Sequence, residues 1–320
     1  MNLPTELRCI EHQQQLTRAG AEQQSELRCE SGCRVPVIRG IPRFTGLSNY
    51  AAAFGLQWNR FRKTQLDSYT HTTISKDRLT GALGEDLDVL NGRSVLEVGC
   101  GAGRFTEVML AAGARVSACD LSTAVDANYT NCGDHPNYFV CQADAMKLPF
   151  APHSFDFVVC LGVIQHTPSP EATIAALARY VRPGGTLVID HYPPEYPVTT
   201  SRAIIRGVLL KLPPRLAHKL AFALARLLVP IHRLTWSNRR GMGRVRQWLG
   251  KLSPLVDHYG MFPIGPELLA EWAILDTHDT LTDYYKHLRS EAQIEQCLRS
   301  CGFSRVQVWR GGNGVEARAS

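Results

Sequence analysis

The chain has 320 residues, of which 44% are apolar and 20% charged, a balance that excludes a disordered or fibrous protein and fits a folded globular one. That length buries a core of ordinary size without covalent staples, in one large or two modest domains. The net charge of +6 is unevenly held: residues 201–251 carry twelve Lys or Arg and no acid, while the remainder carries 23 basic against 29 acidic residues, which excludes a uniformly basic chain.

Ten cysteines are scattered along the sequence. The start, "MNLPTELRCIEHQQQ", has no apolar secretory region, so reduced thiols and a cytoplasmic location are expected. The most apolar stretch, "AFALARLLVPI" (221–231), is too short to span a bilayer and carries Arg226.

In chain order, residues 1–45 read as a separate small unit. "ELRC" occurs at 6–9 and again at 26–29, and "VPVIRGIPRF" (35–44) follows. Cys9 and His12, then Cys29 and Cys33, form two knuckles whose side chains suit a tetrahedral zinc site; a metal-free ribbon is the alternative. Residues 46–90 read as a helical connector with Phe54, Trp58 and Phe61 on one face. From there the pattern alternates. Strands are predicted at 94–98, 115–120, 138–142, 155–160 and 186–191, with helices near 102–112, 122–130 and 170–181. "RPGG" (182–185) reads as a break before the fifth strand. Residues 193–288 interrupt the alternation. A helix at 290–303 and two strands, 304–310 and 314–319, complete it as an antiparallel hairpin. Near-continuous apolar strands alternating with helices predict an α/β fold, a Rossmann-like seven-stranded, mostly parallel sheet formed by 91–192 and 289–320.

"VLEVGCGAGRF" (95–105) turns from a strand into a helix through glycines. Such a turn offers free N–H groups and close backbone approach to a ligand. Gly99, Gly101 and Gly103 give G-x-G-x-G, and Arg104 and Thr106 stand where the dinucleotide pattern requires its third glycine. Glu97 ahead of the turn suits a cationic ligand, and Asp120 at the end of the second strand suits a ribose diol. An adenosyl ligand with an amino acid and positive charge but no phosphates meets all three; S-adenosylmethionine is one.

With "CQADAMKLPFAPHSFDFVVCLGVIQHTPSP" (141–170) and "RYVRPGGTLVID" (179–190), this stretch resembles the class I S-adenosylmethionine-dependent methyltransferases, especially the type-11 group that includes ubiquinone-pathway enzymes. The resemblance covers about 90–192 and 290–320. It implies that Glu97, Gly99, Cys100, Gly101 and Gly103 line the methionine part, and that Asp120 and Leu121 sit at the ribose. It further implies that Asp144 and Ala145 contact adenine, that Leu161 lines the methyl-donor side, and that a helix carrying Trp58 covers the site. Residues 1–45 resemble the short zinc ribbon attached to some methyltransferases, with His12 in place of one Cys and one longer spacing.

Four side chains are candidates for the chemistry. His166 follows the fourth strand, His191 and Tyr192 follow the fifth, and His278 lies in "LDTHDTLTDYYKH" (275–287), read as a loop that closes over the acceptor. A proton acceptor near neutral pH suits an oxygen nucleophile. The expected function is methyl transfer to a small or medium acceptor at oxygen or nitrogen; the alternative is a non-catalytic scaffold of the same fold. Residues 201–236 alternate basic and apolar residues at helical spacing with a break at Pro213–Pro214, and "NRRGMGRVRQWLGK" (238–251) continues the charge. This 193–288 insertion is read as an acceptor lid whose basic face is solvated, or as a cationic surface for an anionic or membrane-associated acceptor. A nucleic-acid partner ranks last, because Trp236 and Trp248 are the main rings available for stacking on bases.

Overall fold

A computed structural model describes residues 3–20, 25–46, 49–236 and 241–320; Arg239 and Arg240 of the basic run lie outside them. Strand β5 (Ser94–Val98) is buried at every position, as a strand covered on both faces must be. Around it lie β6 (Arg115–Asp120), β7 (Tyr138–Gln142), β8 (Phe155–Cys160), β9 (Val181–His191), β10 (Val306–Gly311) and β11 (Gly314–Ala319). They form one sheet in the order β10-β11-β9-β8-β5-β6-β7. All strands run parallel except β11, which is antiparallel to both neighbours. The seven predicted strands are therefore present, hairpin included.

Alternation along the strands sorts the core into two layers. Leu96, Val98 and Ile189 pack with α6 (Pro170–Ala178) and α11 (Glu291–Ser300). Val95, Val116 and Val188 face α3 (Ile74–Leu83), α4 (Arg104–Ala111) and α5 (Ala124–Cys132). The "RPGG" stretch differs from expectation. It is a bulge inside β9: Phe155 pairs with Val181 and Phe157 with Thr186. Gly185 is needed there, because a Cβ would fall 2.8 Å from the Asp156 carbonyl oxygen.

The N-terminal residues form an antiparallel sheet of β1 (Thr17–Ala19), β2 (Glu26–Arg28), β3 (Arg34–Ile38) and β4 (Ile41–Pro42). Just past β4, Arg43 pairs in parallel with Gln142, and the Phe44 N–H donates to the Gln142 carbonyl at 2.8 Å. The ribbon thus covers the otherwise open edge of β7. Arg8 N–H donates to Pro149 O and Ala151 N–H to Glu6 O, both at 2.8 Å. Leu7, Leu16 and Leu27 share a core with Phe139 and Phe150.

The connector holds α1 (Ala52–Arg60), α2 (Asp67–Thr70) and α3. The insertion holds α7 (Thr200–Leu209), α8 (Pro214–Arg233), α9 (Met242–Leu252) and α10 (Pro266–Thr282). The expected break falls between α7 and α8, where Pro214 begins a helix at a position needing no N–H donor. The loop expected at 275–287 is corrected. Residues up to Thr282 are the buried end of α10, which packs against α8, α7 and α1. Its start carries the usual signals, Pro266 in the first turn and Glu267 beside it; the run of His, Asp and Thr further on obscured them. Among the described residues no helix is long and apolar enough to cross a membrane.

Candidate active site

Past Val98 the chain turns through Gly99, Gly101 and Gly103 at φ +78°, +50° and +101°, left-handed backbone that glycine adopts without steric cost. The N–H groups of Gly99 and Cys100 both donate to Cys119 O, at 2.7 and 3.0 Å. Asp120 clamps the turn: Oδ2 accepts from Gly101 N at 3.0 Å, and Oδ1 accepts from Ser122 N and Oγ at 2.8 and 2.7 Å. Burial raises the Asp120 pKa, outweighing these three hydrogen bonds, which lower it. Beneath the turn, buried Glu97 accepts from Thr106 Oγ at 2.5 Å, yet burial pushes its carboxyl up to about 8. Asn128 donates to both Thr106 Oγ and Cys100 O, and takes a hydrogen bond from Tyr138.

Leu121 offers its carbonyl to Asn49 and Gln142. Asp144 Oδ1 accepts from Met146 N at 2.9 Å, half-buried Ala145 follows, and Leu161 is buried past β8. These positions all lie at the carboxyl ends of parallel strands, where open α/β sheets bind ligands. Trp58 lies against the turn: a Cβ on Gly101 would sit 3.4 Å from its indole. Sequence reasoning missed Tyr50. Its hydroxyl pKa is raised by burial and by the nearby charges of Asp144 and Asp120, and its ring meets Tyr285 edge-on at 5.3 Å.

His166 and Tyr192 come together, with ring centroids 5.4 Å apart, and Phe54 stands 5.3 Å from the imidazole on another side. His166 Nδ1 lies 3.0 Å from the Tyr285 carbonyl and 3.4 Å from Asp283 Oδ2. A carbonyl only accepts, so Nδ1 carries the hydrogen. Burial lowers this imidazole's pKa, but Asp283 and Asp279 more than reverse it, and the net direction is up. Asp283 is itself held by Arg206 at 2.6 Å and Lys286 at 3.1 Å. Burial keeps Tyr192 a neutral phenol, stacked on Tyr196 at 3.9 Å.

The other two candidates lie elsewhere. His191 sits on the opposite strand face from Asp190, with Nδ1 2.9 Å from Tyr192 O; burial lowers it to about 4. His278 stacks on Phe222 between α8 and α1. Its Nδ1 meets Gln57 at 2.7 Å, its Nε2 meets His218 at 2.9 Å, and burial lowers it to about 3.

A profile described as a methyltransferase domain matches residues 96–189. The ubiquinone biosynthesis O-methyltransferase of Pseudomonas fluorescens is 32% identical over 183 residues, 54% of this chain and 75% of that one. The chain belongs to the class I S-adenosylmethionine-dependent methyltransferases. The Aromatoleum aromaticum enzyme of the same name is 33% identical over 133 residues, which is 40% of this methyltransferase and 56% of its relative. A solved S-adenosylmethionine-dependent methyltransferase from Aquifex aeolicus aligns over 85% of this chain and 98% of its own, with 14% identity and a TM-score of 0.43.

S-Adenosylmethionine is the methyl donor of this methyltransferase, and the residues present fit it. The glycine turn follows β5 in left-handed backbone with Trp58 packed against Gly101, and acids stand at the end of β6 and past β7, at Asp120 and Asp144. The methyltransferase carries a second donor set in its ribbon. Cys9, His12, Cys29 and Cys33 bring their ligand atoms within 4.8 Å of one another. His12 Nδ1 lies 3.7, 3.6 and 3.3 Å from the three sulfurs. Tetrahedral zinc bonds of roughly 2.3 Å to sulfur and 2.0–2.1 Å to nitrogen require an S···N edge of about 3.6 Å, so the set fits zinc. It is the one such cluster among the described residues.

Proposed function

We propose that the protein methylates an oxygen of a small acceptor, with His166 as proton acceptor, and that the insertion α7–α10 walls the acceptor crevice. Bound S-adenosylmethionine supplies an activated methyl group, which leaves alignment and proton removal to the protein. The observation that carries the reading is the setting of His166. Tyr285 O fixes the hydrogen on Nδ1, and no partner among the described residues holds Nε2. Nε2 can therefore take the acceptor's hydroxyl proton, and buried Asp283 stabilises the imidazolium that results. Phe54 and Tyr192 set aromatic rings on two sides of the imidazole, which suits a ring-bearing acceptor.

The names of the relatives add weight to oxygen as the methylated atom and to a small molecule of ubiquinone biosynthesis as the acceptor. Neither a scaffold role nor an RNA acceptor is favoured. The basic insertion supports an acceptor that is anionic or carried at an anionic surface. The donor set of Cys9, His12, Cys29 and Cys33 supports a structural zinc that ties the ribbon's two knuckles together.

The test supplies methyl-labelled S-adenosylmethionine and a bacterial lipid extract. A labelled methyl ether is expected, and His166→Ala should slow its formation by about 10²–10⁴-fold while donor affinity stays within about twofold. Full turnover in His166→Ala would remove His166 from the chemistry; labelling confined to nitrogen would refute the oxygen acceptor.

A further inference from the structure

Seventeen large apolar side chains are exposed among the described residues, and twelve of them lie between Val198 and Met261. They are ordered. On α8 and its C-cap, at 100° per residue, Leu216, Leu220, Leu227, Ile231 and the capping Leu234 fall within an arc of roughly 60°, and each is at least 44% exposed. The opposite face, with Ala221, Ala225 and Val229, is the buried one that meets α10. Between the two, Arg215, Lys219 and Arg226 share an arc of roughly 40°, with Arg233 on the same arc but paired with Glu267. An apolar stripe aimed at solvent, flanked by a basic row, is not explained by packing within the chain.

Helix α9 repeats the arrangement. None of its eleven residues is buried, although helices this short are marginal in water on their own. Val245, Trp248 and Leu252 share one side and are 44%, 67% and 66% exposed, with Arg244 and Lys251 beside them at helical spacing. On α7, Ile204 and Val208 are also exposed one turn apart.

We propose that the α7–α9 face docks the enzyme flat on an anionic lipid bilayer. The apolar stripes enter the boundary between headgroups and acyl chains, the Trp248 ring settles at headgroup level, and the basic rows meet lipid phosphates. The charge decides between occupants. Residues 201–251 contain no acid; Arg206 and Arg233 are paired with Asp283 and Glu267, but Arg215, Lys219, Arg226, Arg244 and Lys251 leave this face net positive, so two copies of it would repel, whereas an anionic surface is complementary. The inference deepens the reading of an acceptor at an anionic surface. Its test reads binding rather than turnover, so failure here and failure of that reading can be told apart.

The full chain is floated with vesicles of phosphatidylcholine and phosphatidylglycerol at two to one, and with vesicles of phosphatidylcholine alone. Binding is expected to the anionic vesicles only, weakening as salt rises. The triple variant Arg215→Gln, Lys219→Gln, Arg226→Gln should partition roughly a hundredfold more weakly. The triple variant Leu220→Ser, Leu227→Ser, Trp248→Ser should lose the part of binding that resists salt. Both variants should bind S-adenosylmethionine as the parent does in calorimetry, which verifies their fold. The proposal is overturned if the parent stays in the aqueous phase, or binds both vesicle types equally. It is also overturned if sedimentation shows a dimer that the apolar variant dissolves, for the face would then be a self-association surface.

Discussion

Asp120→Asn separates what this carboxylate does for the turn from what it does for the ligand. In the free protein Asp120 receives three hydrogen bonds, from Gly101 N, Ser122 N and Ser122 Oγ. A hydrogen bond to a charged acceptor contributes about 1.5–3 kcal/mol. Against this stands burial, which outweighs them and raises the pKa: the folded protein holds the charge at a net cost. A group whose folded pKa is raised gives its full stabilisation below its ordinary value, near 3.8, and loses it as pH rises through the folded value. Asn has nearly the same shape, keeps one oxygen acceptor and carries no charge. The folding free energy of Asp120→Asn at pH 7 should therefore stay within about 1.5 kcal/mol of the parent. Its stability should also change less with acidity between pH 4 and 6. Donor binding should respond differently, because a charged acceptor for two ribose hydroxyls is gone; a loss of about 1–3 kcal/mol, or roughly 5–150-fold in Kd, is expected. Urea unfolding and calorimetric titration with S-adenosylmethionine read the two quantities separately. A variant that unfolds more than about 3 kcal/mol more easily and binds the donor unchanged would refute the reasoning.

Asp283→Asn removes the largest influence raising the His166 pKa, so the acid limb of the pH–rate profile, expected above the ordinary histidine range, should move to lower pH; an unmoved limb would detach Asp283 from the chemistry. The same shift makes a linkage statement: His166 stabilises the fold below pH 6.5 and stops doing so above its raised folded value. Gly99→Ala places a Cβ 2.2 Å from Val163 Cγ2 at a φ of +78°, which should cost about 2–4 kcal/mol in urea unfolding, and pairing it with Val163→Ala should recover part of the loss. The parent should hold about one zinc per chain by metal analysis. Cys29→Ser should hold none and melt lower while keeping donor affinity, because the ligand turn draws its hydrogen bonds from β5, β6 and α5.

Strand placement was legible because parallel strands covered on both faces read as apolar runs, and every run from Val95 to Ala319 found its place in the sheet. The glycine turn was legible for a different reason: glycine takes the left-handed backbone at 99, 101 and 103 without steric cost, so the spacing survives in the sequence. Proximity between distant segments was not. Tyr50 reaches Asp120 and Asp144 through tertiary packing alone, and Asp283 reaches His166 from the far end of the insertion. His278 misled because a histidine looks the same in sequence whether its nitrogens are free or already engaged by Gln57 and His218. Likewise "RPGG" spells a turn locally, and only pairing with Phe155 and Phe157 makes it a bulge.

The position of β11 bears on how the chain acquires its fold during synthesis. This strand lies between β9 and β10 and bonds to both, yet it is the last of the sheet's seven strands in chain order. Until Gly314–Ala319 emerges, β9 presents an open hydrogen-bonding edge and β10 has no neighbour in the sheet. The other margin can close early, since the ribbon that covers β7 precedes it in the chain. Nascent chains stalled just short of residue 314 are thus expected to have one guarded margin and one adhesive margin, and to depend on chaperones through the latter. Arrest-peptide force profiles should show the sheet's final consolidation only once β11 has cleared the exit tunnel.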